Sequence, residues 1–111
     1  MKLDELKAIV EEMDKECTEL LGLKNADYSN EEDALDNFKK TSAICAILDI
    51  DTRRDGQDSA LFLAILKLTR WCNLRNKTTK PVNEPIRGSV ADLHNYINLG
   101  YALSVESKET L

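Results

Sequence analysis

The 111 residues carry 20 acidic and 15 basic side chains, a formal net charge of −5. A chain of this length suits one domain that buries a core without disulfide or metal staples. The acidic balance argues against non-specific binding to nucleic-acid phosphates, which needs a basic surface.

Glycine (4) and proline (2) are scarce, so the chain favours long helices over many short strands. In the first segment Leu3, Leu6, Val10, Met13, Cys17 and Leu20 recur at alternating steps of three and four. That spacing predicts an amphipathic helix over 3–21 with a narrow, coiled-coil-like seam. Gly22 is a natural stop, and Glu11, Glu12 and Asp14 form a solvated face. A polar linker over 23–30 follows. Ser29 and Glu32 fit a capping box, so a second helix is expected over 30–48. Its first turn carries Asp33, and it should bury Leu35, Phe38, Cys45 and Leu48.

Residues 49–59 read as a charged turn, in which Asp55 or Asp58 can cap a third helix over 57–73. Leu61, Phe62, Ile65, Leu66, Leu68 and Trp71 make that helix apolar on more than one face, so it should be the central one. A loop over 76–88, with Pro81 and Pro85, leads to a fourth helix over 89–103. Val90, Leu93, Ile97 and Tyr101 form its expected core stripe, and Asp92, Asn95, Tyr96 and Leu99 form a second stripe. The tail over 104–111 is polar and expected to fray. The chain is thus expected to be a single all-α, four-helix bundle-like domain over 1–111. The two apolar helices, α-helical segments one and three, suggest more surface than the chain can cover, hence a homo-oligomer.

No apolar leader opens the chain, and the longest apolar stretch, around 60–66, is far too short to span a bilayer. The expectation is a soluble cytoplasmic protein with no membrane partner. Cys17, Cys45 and Cys72 are odd in number and far apart, with no CxxC pair. They read as buried free thiols in a reducing compartment, and a zinc site is not expected.

Three constellations could carry chemistry. Lys24, Asp27 and Tyr28, followed by Asp36, Asn37 and Phe38, gather a cation, carboxylates, aromatics and an amide near a loop–helix junction. A helix N-terminus there could meet phosphate, and Tyr28 could stack on a base. The plainer reading gives Asp27 and Ser29 the shaping of the turn and makes Tyr28 a hydrophobic staple. Lys67 and Arg70, three apart on the central helix, are costly to bury unpaired, so Asp92, Glu84 or a ligand phosphate should meet them. A structural ion pair is the plainer reading. Asp92, Asn95 and Tyr96 present a carboxylate, an amide and a phenol on one turn, a set that could meet a metal only if acids from another helix joined it. His94 lacks a partnered nucleophile and reads as a packed histidine.

Lys24-x-x-Asp27-Tyr28, then Asp36-Asn37-Phe38, then ALFLAILKLTR over 60–70, then Asp92-Leu-x-Asn95-Tyr96 occur in that order. This ordered set, spanning about 20–103, resembles the nucleotide modification-associated domain 1 group and related small phage proteins of unknown function. The resemblance implies a role in phage or bacterial nucleotide metabolism, and a host-cytoplasmic location if the chain is phage-encoded. The helical plan is also similar to the all-α nucleoside triphosphate pyrophosphohydrolases of the MazG type, which hold magnesium with an ExxE pair and an ExxD pair. Here Glu11-Glu12 and Glu31-Glu32-Asp33 lack the ExxE spacing, and Asp92-Leu-His-Asn95 has an amide in place of the second acid.

The expected function is binding of a nucleotide or nucleotide-derived small molecule, for sequestration, sensing or counter-defence rather than catalysis. Lys24, Lys67 and Arg70 would meet phosphate, Tyr28 and Tyr96 would stack or pack, and Asp27, Asn37, Asp92 and Asn95 would read polar groups. One alternative is a Mg²⁺-dependent nucleotide pyrophosphohydrolase. Another is a helical protein-interaction module without a small ligand.

Overall fold

The computed structural model describes residues 1–28, 33–76 and 86–109, with side chains described for all of these but 24–28 and 109. Among them are four helices and no strand: α1 (Leu3–Tyr28), α2 (Asp36–Ile47), α3 (Gly56–Arg75) and α4 (Ile86–Glu109). The all-α, bundle-like plan expected from the sequence is present. α3 is the central element and packs against each of the other three.

α1 runs through Gly22 instead of stopping there. A mid-helix glycine costs about 1 kcal/mol relative to alanine, but Leu20, Leu21, Leu23 and Lys24 around it are strong helix formers. The turn that a stop would need is therefore not forced. Positions 24–28, expected in a linker, belong to the last turns of this helix.

α2 starts later than expected. Ser29 and Glu32, the expected capping pair, lie outside the described residues. Leu35 occupies the N-cap and makes no side-chain cap bond. Asp33 shapes the turn before the helix instead. Its Oδ1 accepts the Leu35 N–H at 2.9 Å and its backbone carbonyl accepts the Asp36 N–H at 3.2 Å. The Lys39 ammonium on Oδ2 and the Leu35 N–H hold the Asp33 carboxyl below the ordinary carboxylate range. At the other end the Ile50 N–H reaches back to the Cys45 carbonyl and the Asp49 N–H to that of Ala46. With Asp49 at φ 56°, this is a Schellman ending. Aspartate is among the few side chains that tolerate the left-handed region.

α3 is capped as the sequence suggests, by Asp55, whose Oδ1 accepts the Asp58 N–H at 2.9 Å. Asp58 is itself buried, and its Oδ2 accepts the Asp51 N–H at 2.9 Å. Arg53 donates to Asp51 from its side chain and its backbone, which keeps the Asp51 carboxyl below its usual range.

α3 and α4 are antiparallel. A Cβ built at Gly56 would lie 3.6 Å from Leu103, one at Gly100 would lie 3.5 Å from Ala60, and Lys67 pairs with Asp92 at 2.9 Å. Small side chains set this close approach: Ala60, Ala64, Ser89 and Gly100 are all buried. The face of α4 turned to α3 therefore runs through Ser89, Leu93, Tyr96, Gly100 and Leu103. The expected stripe is corrected, because Val90, Ile97 and Tyr101 are exposed. Phe38 of α2 and its flanking cap residues Leu35 and Leu48 are exposed too, against expectation, while Cys45 is buried. The polar tail extends α4 as helix to Glu109 rather than fraying. Gly100→Ala is expected to raise thermal stability, since its Cβ would meet Ala60 at ordinary contact distance while helix propensity improves by about 1 kcal/mol. Gly100→Leu should instead push the helices apart and cost about 1–3 kcal/mol. Melting both variants by circular dichroism checks the pair, and equal effects would refute the close-packing account.

The molecule is elongated. Its radius of gyration is 18.0 Å, against about 13 Å for a compact chain of this length. α1 is the cause, since every side chain described in it is exposed, including Leu3, Leu6, Val10, Met13, Cys17 and Leu20. No described helix is long and apolar enough to cross a membrane.

Candidate functional site

The side chains buried most deeply are largely polar. Among the described residues the buried apolar set is Cys45, Ala60, Ala64 and Leu74. The buried polar set is Asn37, Thr41, Asp58, Thr69, Asn73 and Ser89. Apart from Asp58, these polar residues share one end of the bundle, where α2 begins, α3 ends and α4 begins.

Two contacts tie the three helices together there. Between α2 and α3, the Lys40 ammonium donates to Asn73 Oδ1 at 3.2 Å and pairs with Asp36 at 2.9 Å. Between α3 and α4, Lys67 pairs with Asp92 at 2.9 Å, the lysine side chain 14 % exposed and the carboxylate 45 %. Lys67 and Asn73 lie roughly 9 Å apart along α3 at 1.5 Å per residue. Arg70 sits between them, half-buried, and the antiparallel register brings it level with Ser89, which is 0 % exposed.

The buried hydroxyls are already committed. Thr41 Oγ1 donates to the Asn37 carbonyl at 2.7 Å, and Thr69 Oγ1 to the Ile65 carbonyl at 2.8 Å, each within its own helix. Asn37 differs. It is 3 % exposed and its Oδ1 has no hydrogen-bond partner among the described residues. An unmet buried acceptor costs about 1–3 kcal/mol and calls for an explanation.

Of the expected site residues, Lys67 and Asp92 meet in an ion pair between α3 and α4, while Asn37 is buried on α2 and Arg70 half-buried on α3. Tyr96 lines a separate apolar groove of about 380 Å³ with Ala60, Leu63, Leu99 and Leu103, and Asn95 is exposed. The side chains of Lys24, Asp27 and Tyr28 lie outside those described. His94, expected to be packed, is exposed, because the face of α4 turned to α3 is not the one first assigned. Cys17 is exposed as well, Cys72 is half-buried, and only Cys45 is a buried thiol, its pKa raised by that burial.

Sequence reasoning missed Lys40, Thr69, Asn73 and Ser89. A signal existed for α3: at 100° per residue Thr69, Asn73, Arg70 and Lys67 follow one another around about 160° of an otherwise apolar helix. A second hollow, of about 550 Å³, lies beside Thr41 between Phe38, Cys45, Phe62 and the 50–53 turn, with Asp51 and Arg53 at its edge. Among the described residues no group of three or more His, Cys, Asp or Glu side chains is placed to hold a metal ion. Comparison of the chain with protein-family models, with curated proteins and with solved structures finds no match.

Proposed function

We propose that this chain is a non-catalytic helical domain that binds a small nucleotide-like ligand at the polar end of α2, α3 and α4, and that it works as a homo-oligomer. The observation that carries the ligand reading is the buried Asn37 side-chain carbonyl, which has no hydrogen-bond partner among the described residues; Lys40 on the same helix and Lys67 and Arg70 on α3 are the cations assigned to the ligand. A nucleotide supplies both complements: base or sugar donors for the amide oxygen and phosphate for the cations. The acidic net charge is no obstacle, because the local set is basic on balance even with Asp36 and Asp92 included.

A thermal-shift screen across nucleotides and nucleosides, with and without Mg²⁺, tests this. A ligand at a hundred times its dissociation constant adds about 2.7 kcal/mol of apparent stability. A shift that needs Mg²⁺ and comes with turnover would favour the pyrophosphohydrolase alternative. No shift across the whole panel would refute the nucleotide reading. Asn37→Leu sharpens the test. Removing an unmet acceptor should leave the free protein as stable or slightly more so, while abolishing the shift.

One observation favours a second reading, a protein-interaction module: the apolar seam of α1 is open to solvent along its described length.

A further inference from the structure

α1 carries a complete coiled-coil seam that stays exposed among the described residues. Leu3, Val10 and Cys17 occupy one core position of the heptad, Leu6, Met13 and Leu20 the other, and all six are exposed. An amphipathic helix in a finished structure packs its stripe against something. The seam is self-complementary, and the charges that flank it decide how two copies meet.

In a parallel pair, the flanking positions of one helix face those five residues on in the other. Lys2 would then face the partner's Lys7, a like-charge contact made twice. In an antiparallel pair, the core layers stack Leu3 on the partner's Leu20, Leu6 on the partner's Cys17 and Val10 on the partner's Met13. Every apolar core position is matched in one register, with the two-fold axis between Glu11 and Glu12. That same register sets Lys7 beside the partner's Asp14, and the symmetry makes the contact twice. Ile9 falls beside the partner's Glu16 and Lys2 beside the partner's Leu23, so no like charges meet.

We infer that two copies of this chain pair through α1 as an antiparallel coiled coil centred between Glu11 and Glu12. The inference rests on the self-association proposed above and is independent of the ligand. The body formed by α2, α3 and α4 stays clear of the seam, since all described α1 side chains, through Leu23, are exposed in the single chain.

Light scattering of the full chain at micromolar concentration should return twice the chain mass, and Val10→Glu should return a single-chain mass. Retained Trp71 fluorescence and cooperative melting would show that the rest of this variant remains folded. A wild-type chain that stays monomeric would overturn self-association and this pairing together. Orientation is read separately, by mild oxidation. In the antiparallel pair the two Cys17 thiols lie roughly 16 Å apart along the axis, so the wild type should not cross-link through them. Leu6→Cys should cross-link to the partner's Cys17. A dimer that instead forms a Cys17–Cys17 disulfide would overturn the antiparallel pairing while leaving self-association intact. Charge reversal gives a second reading. Lys7→Glu or Asp14→Lys alone should weaken dimerisation about tenfold, and the double reversal should restore it. Absence of rescue would overturn the register, because in a parallel pair these two positions do not meet. A dimer unaffected by Val10→Glu would place the interface on the exposed Ile97–Tyr101 side of α4 and overturn the proposal.

Discussion

Asp58→Ala is expected to lower stability by about 2–3 kcal/mol, which in a domain of this size corresponds to a drop of roughly 10–20 °C in melting temperature. Asp58 is 8 % exposed. Its carboxylate accepts the Asp51 N–H at 2.9 Å and faces Arg54 at 3.6 Å, while its own N–H meets the cap at Asp55. Removing it strands a partly buried backbone donor, and that loss dominates. The Arg54 contact adds little, because that guanidinium is half exposed. Asp55→Ala removes only the cap and should cost about 1 kcal/mol. Thermal or urea unfolding of the two variants side by side checks the order. If Asp55→Ala proved the more damaging, the Asp58 carboxylate would not be the keystone of the turn. The charge chemistry of this turn also gives a sign to its acid sensitivity. Asp51 has a lowered pKa, so what its contacts contribute is present above the ordinary carboxylate range and is lost as pH falls through that lowered value.

If the proposed nucleotide-like ligand binds as assigned, Arg70→Ala should weaken its binding by about 1.5–3 kcal/mol, which is roughly 10- to 150-fold, through loss of a charge-assisted contact. The helical circular-dichroism signal should persist. Lys67→Met is the comparison. It removes a cation that already faces Asp92, and the half-exposed carboxylate left behind can turn to water, so its stability cost should stay near 1 kcal/mol. Isothermal titration of both variants with whichever nucleotide shifts the wild type reads the two affinities. Unfolding of Arg70→Ala would assign the residue to the architecture, and unchanged affinity would remove it from the site.

Much of the fold could be read from the order of residues, and its departures have physical causes. α3 was recognisable because its apolar residues outnumber what one face needs and because Asp55 stands where a cap belongs. The seam of α1 is equally plain, but its end is not, since a lone glycine between leucines does not force a turn. α4 was turned the wrong way because hydrophobicity favoured Val90, Ile97 and Tyr101. Size decided the packing instead: Ser89 and Gly100 let α4 approach Ala60 and Ala64 as larger side chains could not. At the site, the cost of burying a lone cation points to Asp92, Glu84 or a ligand phosphate as the partner of Lys67, and Asp92 is the one that meets it. Thr69, Asn73 and Ser89 give no signal singly, because each reads as an ordinary surface residue. Only their shared end of three helices gives them meaning.

The projection of α1 also has a hydrodynamic consequence. A radius of gyration of 18.0 Å is what a compact globule of roughly 250 residues would show, more than twice the length of this chain. A monomer should therefore leave a gel-filtration column calibrated with globular standards at the volume of a dimer, and a dimer should run as something larger still. Elution volume overstates this molecule's mass in either state, whereas scattered light, which weighs rather than sizes the particle, separates the two.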